Sequence, residues 1–372
     1  MMTPKGCSSK LISMAAETGL AAKHSRKSIT EITTPFRSKS ALRAVAILTA
    51  DTLLYVACLF LTLWLSNYLL RAAASILLGI AITRLFIVGH DCCHGSFFPS
   101  SKWNKFFGRI VFLPSLTAYS LWEIGHNVLH HSFPNLKGRD YVWTPKSKQE
   151  YDAMSHSRQW AERFYRSSSF GLGAYYLIEL WWNKLMFPNR SHVGARRKVH
   201  VYDGLLVTAF ALLFVSTVIA SAQIRGASIV APLCFSVLIP FGVWNYLMGF
   251  AIYVHHTHPT VAWFDKKEIW NRALPQIRNT VHLTFPLPFS AMLHNIMEHN
   301  AHHSDINVPL YELPAAQRQL EEQIGESVVV QAFSFRAFHE SLRVCKLYDF
   351  ENYCWLDFKG NVTAQTIPFA GE

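Results

Sequence analysis

Four stretches of this chain are too long and too apolar to be the buried faces of a soluble domain. They run over about residues 44–65, 68–89, 203–221 and 227–254. A helix needs roughly 20 apolar residues to cross the hydrocarbon core of a bilayer. Inside lipid the backbone must satisfy its own hydrogen bonds, so runs of this kind fold as helices. Ser66 and Asn67 alone part the first two runs, and residues 221–226 part the last two. The four runs therefore predict two transmembrane hairpins. Asp51, Arg71 and Arg84 are the charges inside the first pair, and Arg84 is placed to snorkel. Pro240 and Asn245 interrupt the last run.

The shorter apolar pieces 110–121 and 170–187 cannot span by length or purity and read as interfacial or re-entrant segments. The whole chain is 51% hydrophobic and only 16% charged, which agrees with a membrane protein. The fold class expected is all-α, with four transmembrane helices and a helical cap on one side. Residues 1–43 read as a polar cytosolic tail, with a cleaved organellar transit peptide as the alternative. Residues 44–340 read as the membrane domain and 341–372 as a C-terminal tail.

The formal net charge of +11 suits an anionic partner. Nucleic acid, acidic lipid headgroups and an acidic protein all qualify. Lys and Arg, however, concentrate in the N-terminal segment, the loop between the hairpins and the C-terminal segment, whereas the hairpin turns hold Arg71 and Arg225 alone. The positive-inside rule then puts both termini and the middle loop in the cytosol. That accounts for much of the charge, and no nucleic-acid motif is present. Seven scattered cysteines with no C-x-x-C pair argue against a disulfide framework or a zinc ribbon.

Histidine is the unusual residue. The chain has 18, and most fall in tight groups: His90 and His94; His126, His130 and His131; His299, His302 and His303; and the looser His255, His256 and His258. Residues three or four apart share a helix face, so each of the first three groups converges if helical. Eight imidazoles with a ninth from the looser group exceed the needs of one metal ion. They suit two ions with open positions for dioxygen. Imidazole serves iron, copper, zinc and nickel. Asp91, Glu123 and Glu298 adjoin these histidines and are candidates to orient them. His294 lies close to the third group.

The pattern H-x3-H, H-x3-H-H, H-x2-H-H around four spans resembles the membrane fatty acid desaturase family, from about residue 86 to 320. The segments HDCCHGSFF, GHNVLHH and NIMEHNAHHSDINVPLYELPAAQ, with HTHP at 256–259, resemble acyl-lipid desaturases of the delta-12 and omega-3 type, bacterial ones in particular. The resemblance implies two Fe ions held by His90, His94, His126, His130, His131, His299, His302 and His303. It implies a further ligand after the fourth run, either His256 or His258, with His256 chosen; His255 is not counted. No catalytic residue distinct from these ligands is implied.

The activity implied is oxygen-dependent desaturation of an acyl chain, one already monounsaturated. The acyl chain would be linked to lipid, carrier protein or CoA, and O2 would be the co-substrate. A hydroxylase, an acetylenase or a carotenoid oxygenase on the same scaffold is the alternative, and a non-catalytic membrane haem carrier the remote one. The membrane implied is a bacterial inner membrane, or an endoplasmic reticulum or plastid membrane. No H-P-G-G haem motif, dinucleotide fingerprint or ferredoxin-type cysteine pattern occurs, so a separate electron donor of ferredoxin or cytochrome b5 type is expected. Lys137, Arg139, Lys146 and Lys148, near the second box, are the expected docking residues. Cys92 and Cys93, inside the first box, are bulkier than the glycine of many relatives, which raises a triple-bond product as an option.

Overall fold

The computed structural model describes residues 26–187, 198–273, 275–286, 289–325 and 328–366. Four helices in it are long and apolar enough to cross a membrane: Ala41–Trp64, Tyr68–His94, Lys198–Ile224 and Val230–His256, here spans 1 to 4. Each extends past the limits expected from hydropathy at one end or both. The reason is local. Span 1 starts at Ser40, whose hydroxyl accepts from Arg43 N–H. Span 2 starts at Asn67, whose Oδ1 accepts from Leu69 and Leu70 N–H. It stops only at Gly95, which takes a left-handed φ of 70° and closes the helix after His94. Hydropathy loses the helix at residue 89 because the next turn is polar, but the hydrogen bonds continue.

The spans divide into two kinds. In spans 1 and 3 only 17% of the apolar window is buried within the protein, against 67% in span 2 and 50% in span 4. Spans 1 and 3 thus turn apolar surface outward, which only lipid could cover, while spans 2 and 4 form the inner pair. Their approach is close. A Cβ on Gly79 of span 2 would lie 2.5 Å from Val243 Cβ of span 4. Span 4 also meets the helix made by Ser169–Tyr175 and Tyr176–Met186. There a Cβ on Gly249 would lie 2.2 Å from Leu172 O. Pro240, which cannot donate, follows a π-helical turn over Cys234–Leu238 that takes up the irregularity.

Outside the spans, the run 110–121 is broken at Pro114: the helix Ser101–Phe112 ends in a 3-10 turn, Leu113–Ser115, and a new helix begins at Tyr119. Of the expected N-terminal tail, residues 1–25 lie outside the described residues. The part that follows is not a loose tail, since Arg26–Thr33 is helical and Ile29 is buried. Arg37 Nε pairs with Asp305 Oδ2 at 2.6 Å, which ties this segment to the body of the protein.

The chain is mostly helical, as expected, and among the described residues it also carries two small sheets. Val281–Thr284 pairs in parallel with Val329–Ala332. Leu347–Asp349, Cys354–Leu356 and Val362–Gln365 form an antiparallel sheet inside the expected C-terminal tail. Trp355 and Tyr348 are fully buried there, and Trp355 Nε1 donates to His258 O at 3.0 Å. Strands of three or four residues carry too few alternations to be read as a period, which is why helix alone was expected. Residues 367–372 of that segment lie outside the described residues.

Candidate metal centre

The C-terminal ends of spans 2 and 4 lie on one side of the protein and carry His90, His94, His255 and His256. Short helical pieces outside the spans, Tyr119–Glu123 with Ile124–His130 and His299–Ser304, bring the rest. Nine imidazoles collect in two groups. One holds His90, His94, His126, His131 and His302; the other holds His130, His256, His299 and His303; within each, one ring nitrogen per residue lies within 4.8 Å of the others.

This grouping corrects the expectation that each box converges as a unit, because the second and third boxes are each divided between the two groups. Ile124–His130 is π-helical, and His131 N–H donates to His126 O at 2.9 Å, an i→i+5 bond. The wider turn sets His126 with His131 and sends His130 to the other group. Along His299–Ser304 the ordinary α spacing holds, so His299 and His303 face together and His302 faces the first group. The two groups adjoin: the rings of His131 and His303 stack with centroids 4.2 Å apart.

The donor set fits metal ions. Three pairs of Nε2 atoms lie 3.0 Å apart, His131 with His126, His302 with His131, and His299 with His256. Both nitrogens of His94 and His303, and Nδ1 of His131, His299 and His302, are buried with no hydrogen-bond partner among the described residues. Buried polar atoms are ordinarily paired, so such a concentration of lone pairs wants cations. Burial, and after it the neighbouring imidazoles, hold His126, His131, His299, His302 and His303 well below the usual histidine range. The rings are therefore neutral near pH 7, the state that binds metal.

Three side chains orient the outer nitrogens. His130 Nδ1 lies 3.0 Å from Asp140 Oδ1, His256 Nδ1 3.1 Å from Asn135 Oδ1, and His90 Nδ1 3.3 Å from Asp91 Oδ1. A ring that donates from Nδ1 turns a bare Nε2 inward. Asp140 also accepts from Asn135 N–H at 2.8 Å and Val142 N–H at 3.0 Å. Burial pushes its carboxyl up, but the charge and hydrogen bond of His130, with His256 and Val142 N–H, outweigh that and hold it below the usual range.

Of the three acids expected to orient ligands, Asp91 alone does so. Glu298 accepts from Ser290 Oγ at 2.5 Å, and Glu123 makes no hydrogen bond to a histidine among the described residues. Asp140 and Asn135 were missed because each sits in a loop with no helical spacing to its partner. His258 lies in neither group, bonding Thr260 Oγ1 at 2.7 Å and Gln331 Oε1 at 3.1 Å. His255 stacks on His299 at 3.7 Å and lies 3.3 Å from Met297 Sδ, also outside both groups.

A narrow apolar cavity reaches this centre. Phe86, Ile87, Trp122, Leu180, Met248, Ala251, Leu293 and Ile296 line it, together with His90, His126, His130, His256 and His299. Cys92 and Cys93 are not among its lining residues.

Four apolar spans, two buried histidine groups able to hold metal, and a hydrocarbon-lined cavity opening on them define a multi-pass membrane protein with an apolar site beside a candidate metal centre. The model of the fatty acid desaturase family matches residues 66–335, and the chain belongs to that family. It is 28% identical over 287 residues to an sn-1 oleoyl-lipid 12-desaturase of Picosynechococcus, covering 74% of this chain and 76% of that one. A desaturase of the same name from Arthrospira platensis is 30% identical, over 63% of this chain and 64% of its own. A chloroplastic omega-6 fatty acid desaturase of Glycine max is 29% identical, over 73% of this chain and 61% of its own.

Proposed function

We propose that this protein introduces a second double bond into a monounsaturated, lipid-linked acyl chain of about eighteen carbons, using two irons, dioxygen and electrons from a separate carrier protein. The observation that carries the reading is the apolar cavity whose wall includes histidines of both groups. The substrate is suggested by the relatives named for oleoyl lipid. His90, His94, His126, His131 and His302 would hold one iron, and His130, His256, His299 and His303 the other. Bound iron supplies the activation of dioxygen needed to take hydrogen from unactivated methylenes, which no side-chain acid or base can do.

The protein's own share is positional. Phe86, Ile87, Met248 and Ala251 hold the chain extended against the histidines and keep water out. Asp140, Asn135 and Asp91 fix the ring tautomers, so the nitrogens stay aimed without rearrangement during turnover. Because Cys92 and Cys93 stay clear of the cavity, their bulk gives no reason to expect a triple bond.

The histidine side of the bundle faces the cytosol in this reading, with both termini, as the distribution of Lys and Arg suggests. The carrier would dock there. Lys137 and Lys148 are engaged by Glu150 and Asp152, which moves the docking surface toward Arg139 and Lys267. Their charged groups each lie 5.6 Å from the ring centroid of Phe133, two residues beyond His131.

The test is expression in a host without polyunsaturated lipids, fed stearoyl or oleoyl chains separately, with the new bond located by mass spectrometry. A diene from the oleoyl chain is the expected product. Attack on the stearoyl chain with the oleoyl chain untouched would refute the substrate assignment, and a hydroxylated product would refute the reaction type.

A further inference from the structure

Asp51, a carboxylate buried in span 1, has no part in the metal centre, and its surroundings show what it holds. It is 1% exposed. Its Oδ1 accepts from Arg84 Nε of span 2 at 2.6 Å, and its Oδ2 lies 2.5 Å from His294 Nε2. Arg84 continues the link, donating from Nη1 to Met292 O at 2.5 Å. A carboxylate taken out of water on a membrane helix is costly unless it is paired, and both oxygens here are used. What they grip is the segment 289–297 that leads into the third histidine group.

That segment is held in an unusual shape. His294 and Asn295 have φ of 53° and 58°, the left-handed region that residues with a Cβ avoid. Asn295 is secured by its own bonds, N–H to Ser290 O at 2.7 Å and Nδ2 to Leu310 O at 3.1 Å. His294 is secured by Asp51. The residues on either side of this turn, Leu293 and Ile296, line the apolar cavity alongside His299. Part of the wall against which the acyl chain must lie is therefore a loop. Its position is set by an ionic clamp to the membrane helices.

We infer that Asp51 is a positioning residue which, through His294 and Arg84, holds Leu293 and Ile296 at a fixed depth in the cavity and so selects which methylene pair meets the histidine groups. The inference rests on the desaturase reading above. It differs from a merely structural ion pair in what it predicts: loosening the clamp alters where the chain is oxidised, while the metal-binding groups remain filled.

The test compares full-length wild type with Asp51→Asn, His294→Ala and Ile296→Ala, in iron-loaded bilayer discs supplied with oleoyl lipid, dioxygen and a small chemical reductant. Asp51→Asn is expected to keep its iron, to raise KM about 10-fold with a smaller change in kcat, and to yield a second positional isomer of the diene. His294→Ala and Ile296→Ala should give the same isomer. Joining Asp51→Asn to Ile296→Ala should add little, because residues acting through one another are not additive. Amide exchange across residues 289–297 should quicken in Asp51→Asn.

A single wild-type isomer with wild-type KM in Asp51→Asn would overturn the inference. Should that variant not fold, unchanged products from both His294→Ala and Ile296→Ala would overturn it equally. Wild type that makes no double bond at all would sink the desaturase reading instead. Amide exchange then decides the clamp alone, and unchanged exchange in Asp51→Asn counts against it.

Discussion

At the scale of single residues, the two histidine groups are oriented by side chains that belong to neither group. Asp140 meets His130, a buried ring, and also ties down the backbone of Asn135, which meets His256. Two orienting contacts of the second histidine group thus pass through one carboxylate. Replacing Asp140 by Asn removes the charge and leaves a side chain that can present an amide N–H to His130. Iron affinity should fall roughly 10- to 100-fold, the usual cost of losing such a partner. The measurement is iron retained against a graded chelator, with circular dichroism to confirm folding. Wild-type retention would show that Asp140 serves the loop and not the ligand. Eight of the nine grouped histidines were legible from spacing, because histidines in short repeats are a local signal; His256 was not told apart from His258 that way. Asp140 and Asn135 were not, because their partners lie in other segments or across irregular loops.

At the scale of elements, irregular helix decides the geometry. The π turn over Ile124–His130 converts an H-x3-H-H box into a set that splits between two groups. A one-residue change of helical repeat is invisible in the spacing, since the same letters fit either helix. Close helix packing is the other determinant. Gly249 of span 4 lies against the Leu172 carbonyl so tightly that any Cβ would sit 2.2 Å from it, whereas Gly242, on the same helix, has nothing within 4 Å. Gly249→Ala should therefore destabilise by about 1–3 kcal/mol through overpacking. Gly242→Ala should be neutral or stabilising by up to about 1 kcal/mol, as helix interiors favour Ala. Thermal unfolding of the two variants in one detergent reads the difference; equal midpoints would mean that the spans do not pack as described.

At the scale of the whole molecule, the proposed electron carrier would approach the centre from the histidine side of the bundle. Exposed cations and acids are interleaved over residues 265–272, where Lys266, Lys267 and Arg272 stand beside Asp265 and Glu268. Arg139 and Lys267 nonetheless flank Phe133 from two segments of the chain. Arg139→Glu with Lys267→Glu is expected to raise the carrier concentration needed for half-maximal rate about 10-fold at low salt and to flatten the dependence on salt. Turnover driven by a small chemical reductant should be unchanged. A steep salt dependence surviving in the double variant would place the carrier elsewhere.

The sequence by itself determined the membrane class, the approximate spans and the identity of the clustered histidines. Each of these follows from residues close together in the chain: hydropathy over one bilayer thickness, or imidazoles within one helical turn. Only the tertiary structure decided the rest. It gathered His256 with the other rings and left His258 apart, divided nine rings into five and four, folded residues 347–365 into a small sheet, and joined Asp51 to His294 across 243 residues. The physical reason is common to all four. A buried polar group is stable only where it meets its partner, and no local pattern in a sequence states where a distant partner will be.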